Sequence, residues 1–153
     1  MNIIFVITVI ILVVGLVFIL VRQVSQDSSN EIGTIENIQP IVEKLLASRK
    51  VDNFVIINNV GTEDFFQMQV YEEGAQIDFP IVTERQKFLE SKIRKAVVDR
   101  NRTIAENPGS DGSNFIDVDV EKDVQVITQL SIYFLKSIFN ASDSTKLEFQ
   151  LNI

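Results

Sequence analysis

The chain has 153 residues, with 14 Lys plus Arg against 21 Asp plus Glu for a net charge of −7, and it contains no Cys, His or Trp. Those absences exclude thiolate nucleophiles, Ser–His and Cys–His pairs, the usual Cys/His zinc sites and any disulfide framework. The acidity argues against a nucleic-acid binder, whose phosphate contacts need a basic face.

Residues 3–21 form an apolar run interrupted only by Thr8 and Gly15. As a helix the run spans roughly 28 Å, close to the thickness of a bilayer core. In lipid every backbone polar group must be paired internally, so an Ile- and Val-rich run is helical there despite its modest propensity in water. No Lys or Arg precedes the run, and Val21-Arg22-Gln23-Val24 offers no small-x-small cleavage site, so a retained anchor is expected over residues 1–22 rather than a cleaved signal peptide. The span carries no ionisable residue and reads as a tether, not an ion path. Gly15 has no second small residue at Gly-x-x-x-Gly spacing. The positive-inside rule applied to Arg22 places the following domain in the cytoplasm.

Residues 23–34 are polar and read as a flexible linker. The remaining stretch, 35–153, is about 120 residues, enough for one domain with one core. Ile35, Ile38, Ile41, Val42, Leu45 and Leu46 fall at helical spacing, with Pro40 marking a start near Gln39. Phe54-Val55-Ile56-Ile57 is a short apolar run. Phe66, Met68 and Val70 then alternate with Gln67, Gln69 and Tyr71, and Ile77, Phe79 and Ile81 with Gln76, Asp78 and Pro80. A period of two predicts strands with one buried face and one wet face. Glu72-Glu73-Gly74-Ala75 reads as a tight turn with Gly74 at positive φ, and Pro80 predicts an edge position for the third strand.

Thr83 and Gln86 have capping-box spacing and open a helix to about Thr103, with Phe88, Leu89, Ile93, Ala96, Val97 and Ile104 on one side. Residues 106–114 read as a loop. Ile116, Val118 and Val120 alternate with Asp117 and Asp119 in a further strand. A helix follows over roughly 122–139, its stripe traced by Val124, Ile127, Leu130, Ser131, Phe134, Leu135 and Ile138, and Leu147, Phe149, Leu151 and Ile153 alternate in a last strand. The expected order is an anchor, then α-β-β-β-α-β-α-β: an α+β sandwich with a mainly antiparallel sheet and helices packed on it.

Four features carry candidate chemistry. Asp117, Asp119, Glu121 and Asp123 are the best metal candidate by residue type, yet they lack the Gly and Glu of an EF-hand. Strand alternation followed by acids at a helix N-terminus explains them without a metal. The second helix carries Arg85, Lys87, Lys92, Arg94, Lys95, Arg100 and Arg102 against Glu84, Glu90 and Asp99, a net +4. Arg85, Lys92, Arg94, Lys95, Arg100 and Arg102 are therefore candidates for an acidic protein partner or anionic lipid, beside the plainer reading of a solvated face. The exposed side of the hairpin holds Gln67, Gln69, Tyr71, Gln76 and Asp78; Gln67, Gln69 and Tyr71 are candidates for partner binding there, where an edge strand can recruit another chain, beside the plainer reading of an ordinary wet sheet face. Asn101-Arg102-Thr103 and Asn140-Ala141-Ser142 match glycosylation sequons, a pattern short enough to arise by chance. No phosphate loop or nucleophile elbow is present, and no cofactor is implied.

The stretch FFQMQVYEEGAQIDFPI at 65–81 resembles the central hairpin of the type III secretion chaperone-like superfamily, in particular its TY-Chap branch. Asn114-Phe115, the segment 123–139 with Asn140-Ala141-Ser142, and Lys146-Leu147-Glu148-Phe149 are similar to that branch's closing pattern of strand, long helix and last strand. The chain differs at 104–108, IAENP, where the branch often carries a Leu-Gly-Trp/Phe-Pro turn. The resemblance covers about residues 35–153 and implies a protein-binding scaffold rather than an enzyme. Three functions are expected in descending order: a membrane-tethered binding module acting as chaperone, immunity or assembly factor of a secretion or toxin system; a structural subunit of a larger membrane complex; and a metal-dependent hydrolase using the 117–123 acids.

Overall fold

The structure, a computed structural model, describes residues 28–108 and 114–153. The expected span at 3–21 lies outside the described residues, and among those described no helix is long and apolar enough to cross a membrane. The elements in chain order are β1 (Ser28–Gly33), a 3₁₀ turn (Ile35–Asn37), α1 (Ile38–Ala47), β2 (Phe54–Asn59), β3 (Phe65–Val70), β4 (Ala75–Ile81), α2 (Glu84–Val98), β5 (Ile104–Pro108), β6 (Asn114–Val120), α3 (Val124–Ser137) and β7 (Leu147–Asn152). The strands make one seven-stranded antiparallel sheet in the order β1-β7-β2-β3-β4-β6-β5. The fold is α+β, with three helices on one face of that sheet.

The apolar stripes explain the layering. Ile38, Ile41, Val42 and Leu45 of α1, Leu89, Ile93, Ala96 and Val97 of α2, and Ile127, Leu130, Phe134 and Leu135 of α3 are buried at helical spacing. They meet Val55, Ile57, Phe66, Met68, Ile77, Phe79, Ile116, Val118, Leu147, Phe149 and Leu151, every second residue of the central strands, in one core. At its centre the Phe79 ring meets Phe134 edge-on at 5.2 Å and Phe66 at 5.6 Å, with Phe139 stacked on Phe66 at 6.3 Å. Burying each such ring contributes roughly 2–3 kcal/mol, so this cluster is a main source of cohesion between helices and sheet.

Helix boundaries follow from capping. Gln86 N–H donates to Thr83 Oγ1 at 3.2 Å while Thr83 N–H donates to Gln86 Oε1 at 3.0 Å, the reciprocal capping box. Asp123 caps α3 by accepting from Val126 N–H at 2.9 Å. Asn101 and Asn140 take left-handed φ of 53° and 56° just past α2 and α3. Arg102 N–H then returns to Val97 O at 3.2 Å and Ala141 N–H to Leu135 O at 3.0 Å. Both sequon asparagines thus sit at helix stops, a position that favours Asn or Gly.

Several expectations are corrected. Six residues of the stretch read as linker form β1, paired with β7 from Ser28↔Asn152 to Gly33↔Leu147. Ile104 leaves the second helix, and with Ala105 and 106–108 of the stretch read as loop it forms β5. Phe88 is 77% exposed, because the buried stripe of α2 runs through Gln86, Leu89, Ile93 and Ala96 and leaves Phe88 on its flank. Gly74 does not have positive φ. The β3–β4 turn closes by Tyr71 N–H donating to Gly74 O at 2.9 Å, and the glycine with φ of 83° is Gly61, between β2 and β3. The third predicted strand, β4, is interior and pairs with β6 along its whole length. Its pairing with β3 stops at Asp78, so Pro80 has a strand partner only in β6, and its missing N–H is tolerated.

Candidate functional site

Two surfaces collect the residues singled out by sequence. The first lies on the helix side, at the C-terminal end of α2 and the outer surface of α3. An open groove of about 750 Å³ is lined there by Arg100, Arg102, Val126, Gln129, Leu130, Ile132, Tyr133, Lys136 and Ser137. The Arg100 guanidinium carbon lies 3.8 Å from the centre of the Tyr133 ring, a cation–π contact. Arg102 Nη1 lies 2.6 Å from Glu121 Oε2 and Lys136 Nζ lies 2.7 Å from Asp143 Oδ1, so two of the three cations already have acidic partners.

The rest of the basic helix is occupied by the fold. Arg85 grips Asp64, and Arg94 pairs with Glu90 at 2.7 Å and with Glu106 of β5 at 3.0 Å. Lys95 pairs with Asp99 at 2.6 Å and Lys87 with Glu84 at 2.8 Å. Lys92 Nζ donates to Ile138 O at 2.7 Å and to Asn140 Oδ1 at 3.1 Å, satisfying carbonyls where α3 ends. These contacts hold the guanidinium groups of Arg85 and Arg94 above their ordinary pKa, first through the hydrogen bonds they donate to Asp64 and Glu90. The six basic candidates do not form one patch: only Arg100 and Arg102 share the groove.

The second surface is the face of the sheet opposite the helices. The register puts Asn152, Phe54, Gln69, Gln76 and Asp119 in one cross-strand row. The next row holds Asn30, Gln150, Ile56, Gln67, Asp78, Asp117 and Ala105. Glu148, Asn58 and Phe65 follow on one side, and Pro80, Phe115 and Asn107 on the other. Phe54, Ile56, Phe65 and Phe115 are only partly buried there, set among amides and carboxylates. None of these described positions is Lys or Arg. Gln67 and Gln69 stand at the middle of this face, and Tyr71 at its rim, where its hydroxyl donates to Gln76 Oε1 at 2.9 Å and Gln76 Nε2 donates on to Asp119 Oδ1 at 3.1 Å.

The acidic corner is the least ordinary part. Asp78 and Asp117 stand directly opposite each other on β4 and β6 and are only 8% and 5% exposed. Alternation had assigned both Asp78 and Asp117 to wet faces; their position on that face holds, but their exposure does not. Asp78 Oδ1 is buried with no hydrogen-bond partner. Burial, then the charges of Asp117 and Asp119, push the Asp78 carboxyl up to about 7. Asp117 is also raised, by burial first, with a hydrogen bond from Asn107 pulling the other way. Tyr71 is raised by burial and then by Asp78, Asp117 and Asp119.

The other two members of the acidic string point elsewhere: Glu121 to Arg102, Asp123 to the α3 N-terminus. Among the described residues no group of three or more acidic side chains could hold a metal ion. The missed signal was the pairing of Asp78 with Asp117, which becomes visible only once β4 and β6 are known to be neighbours. No protein-family model, curated protein or solved structure matches this chain.

Proposed function

We propose that this chain is a membrane-anchored, non-enzymatic module that holds a polypeptide partner on the open face of its sheet, as a chaperone, immunity or assembly factor of a secretion or toxin system. The observation that carries the proposal is that face itself. It spans seven strands, has no described helix over it, and mixes Phe54, Ile56, Phe65 and Phe115 with Gln67, Gln69, Gln76 and Gln150. Aromatic anchors among adaptable amides are what a polypeptide partner requires of a surface. The helix side is the poorer candidate, since most of its cations are paired within the molecule.

The apolar run at 3–21 supports the anchor, and Arg22 supports a cytoplasmic domain. The resemblance of 65–81 and 114–149 to the type III secretion chaperone-like superfamily supports partner binding over catalysis. So does the lack of Cys and His.

Affinity purification of the full chain from detergent-solubilised membranes tests the proposal when wild type is compared with the Gln67→Arg, Gln69→Arg pair. A specific co-purifying protein that the pair variant loses is the expected result. No specific protein in either sample contradicts the proposal. Retention by the pair variant, with loss on replacing 3–21 by an unrelated span, points instead to a structural subunit assembled through its anchor.

A further inference from the structure

Within that polypeptide-binding reading, on which the inference rests, we propose that the Asp78–Asp117 corner of the sheet face receives a lysine or arginine side chain of the bound partner. Two buried carboxyl groups facing each other need a compensating charge or a shared proton, because taking an unpaired carboxylate out of water is costly. Among the described residues, the strand neighbours of the pair (Gln67, Gln76, Ala105, Phe115 and Asp119) include no cation. A second observation concerns Asp78 itself. Asp78 is 8% exposed and its Oδ1 is buried with no hydrogen-bond partner, one of three such side-chain atoms among the described residues. An ammonium or guanidinium group seated at the corner supplies the compensating charge, and Phe115, two residues before Asp117 on the same strand, offers apolar cover for the stem of the incoming side chain. A divalent ion fits less well, since the described acids do not converge as a group of three. The partner is therefore an extended segment with a basic residue flanked by apolar ones.

The test uses the full chain in detergent and short extended peptides that alternate apolar and polar residues, with Lys, Arg, norleucine or Glu at the centre. The Lys and Arg peptides should bind, and the norleucine and Glu peptides should bind roughly thirtyfold more weakly or worse. The Asp78→Asn, Asp117→Asn variant should bind all four alike and at the norleucine level. Gln67→Lys, which puts a cation directly opposite Asp78, should also erase the preference, so the result does not depend on one variant folding. Equal binding of all four peptides by the wild type overturns the inference and leaves the polypeptide reading standing. No binding of any peptide overturns both. A calcium or magnesium isotherm that Asp78→Asn abolishes makes the corner a metal site and overturns the inference.

Discussion

Asp78 of β4 and Asp117 of β6 face each other across neighbouring antiparallel strands, buried on the side of the sheet that the helices leave open. Antiparallel neighbours directly opposite bring their side chains to within about 5.5 Å, and like charges so placed oppose the pairing that creates them. That opposition, together with burial, raises the Asp78 carboxyl, with consequences for stability and for binding.

The first consequence is pH dependence. Burial beside Asp117 and Asp119 pushes the Asp78 carboxyl from 3.8 up to about 7. Between those values the native chain holds a proton that the unfolded chain has released, so stability falls as pH rises through this window and levels off above it. The full loss is on the order of 4 kcal/mol. Asp78→Asn has nothing to ionise. Thermal denaturation should give this variant a higher Tm than wild type at pH 8, with the difference shrinking towards pH 4. An unchanged or lower Tm at pH 8 would contradict the assignment.

A second prediction concerns the start of α2. Arg85 Nε and Nη2 donate to Asp64 Oδ1 and Oδ2 at 2.9 and 3.2 Å, joining the helix to the β2–β3 turn. The Asp64 side chain is 2% exposed and the Arg85 side chain 42%. Arg85→Ala leaves a buried carboxylate short of its partner and should cost about 1–3 kcal/mol, tempered by the solvent on the arginine side. Lys95→Ala, which breaks a solvent-exposed pair, should leave the urea midpoint close to that of wild type. Urea midpoints for the two variants check the contrast, and equal midpoints would defeat it.

Helix termination supplies a third. Asn101 holds φ of 53° after α2. Asn101→Gly should change stability by less than about 0.5 kcal/mol, whereas Asn101→Val should cost about 1–2 kcal/mol because a β-branched residue resists the left-handed region. Equal denaturation curves for the two variants would show that the helix stop is set elsewhere.

The groove gives a fourth, as a counterpart to the sheet face. Arg100→Ala with Arg102→Ala removes the Tyr133 stack and the Glu121 ion pair without touching the open face. Partner recovery in affinity purification should stay within about twofold of wild type, a change under roughly 0.5 kcal/mol. A tenfold loss would move the binding surface to the helices.

Five of the seven strands were legible in the sequence: Phe66, Ile77, Val118 and Phe149 belong to alternating runs whose buried face meets helices, and Val55 to a short continuous apolar run. The two that were missed, β1 and β5, are the outermost strands of the sheet. Ser28–Gly33 holds only Ile32 as an apolar side chain, and that residue is 66% exposed. Its strand state comes from main-chain pairing to β7, which leaves no trace in side-chain period. Pairing across strands is likewise why Gln67 and Gln69 could be read as exposed while their position at the centre of an open face could not. Arg85 and Lys92 read as surface charge because Asp64 and the α3 carbonyls are distant in sequence and close only in the fold.

The most direct measurement is site-specific photocrosslinking of the full chain in intact cells, with the photoreactive residue placed in turn at Gln69 on the open sheet face and at Gln129 in the helix-side groove. The account predicts a discrete protein adduct from Gln69 and none from Gln129. Adducts from Gln129 alone, or from neither position, would contradict it.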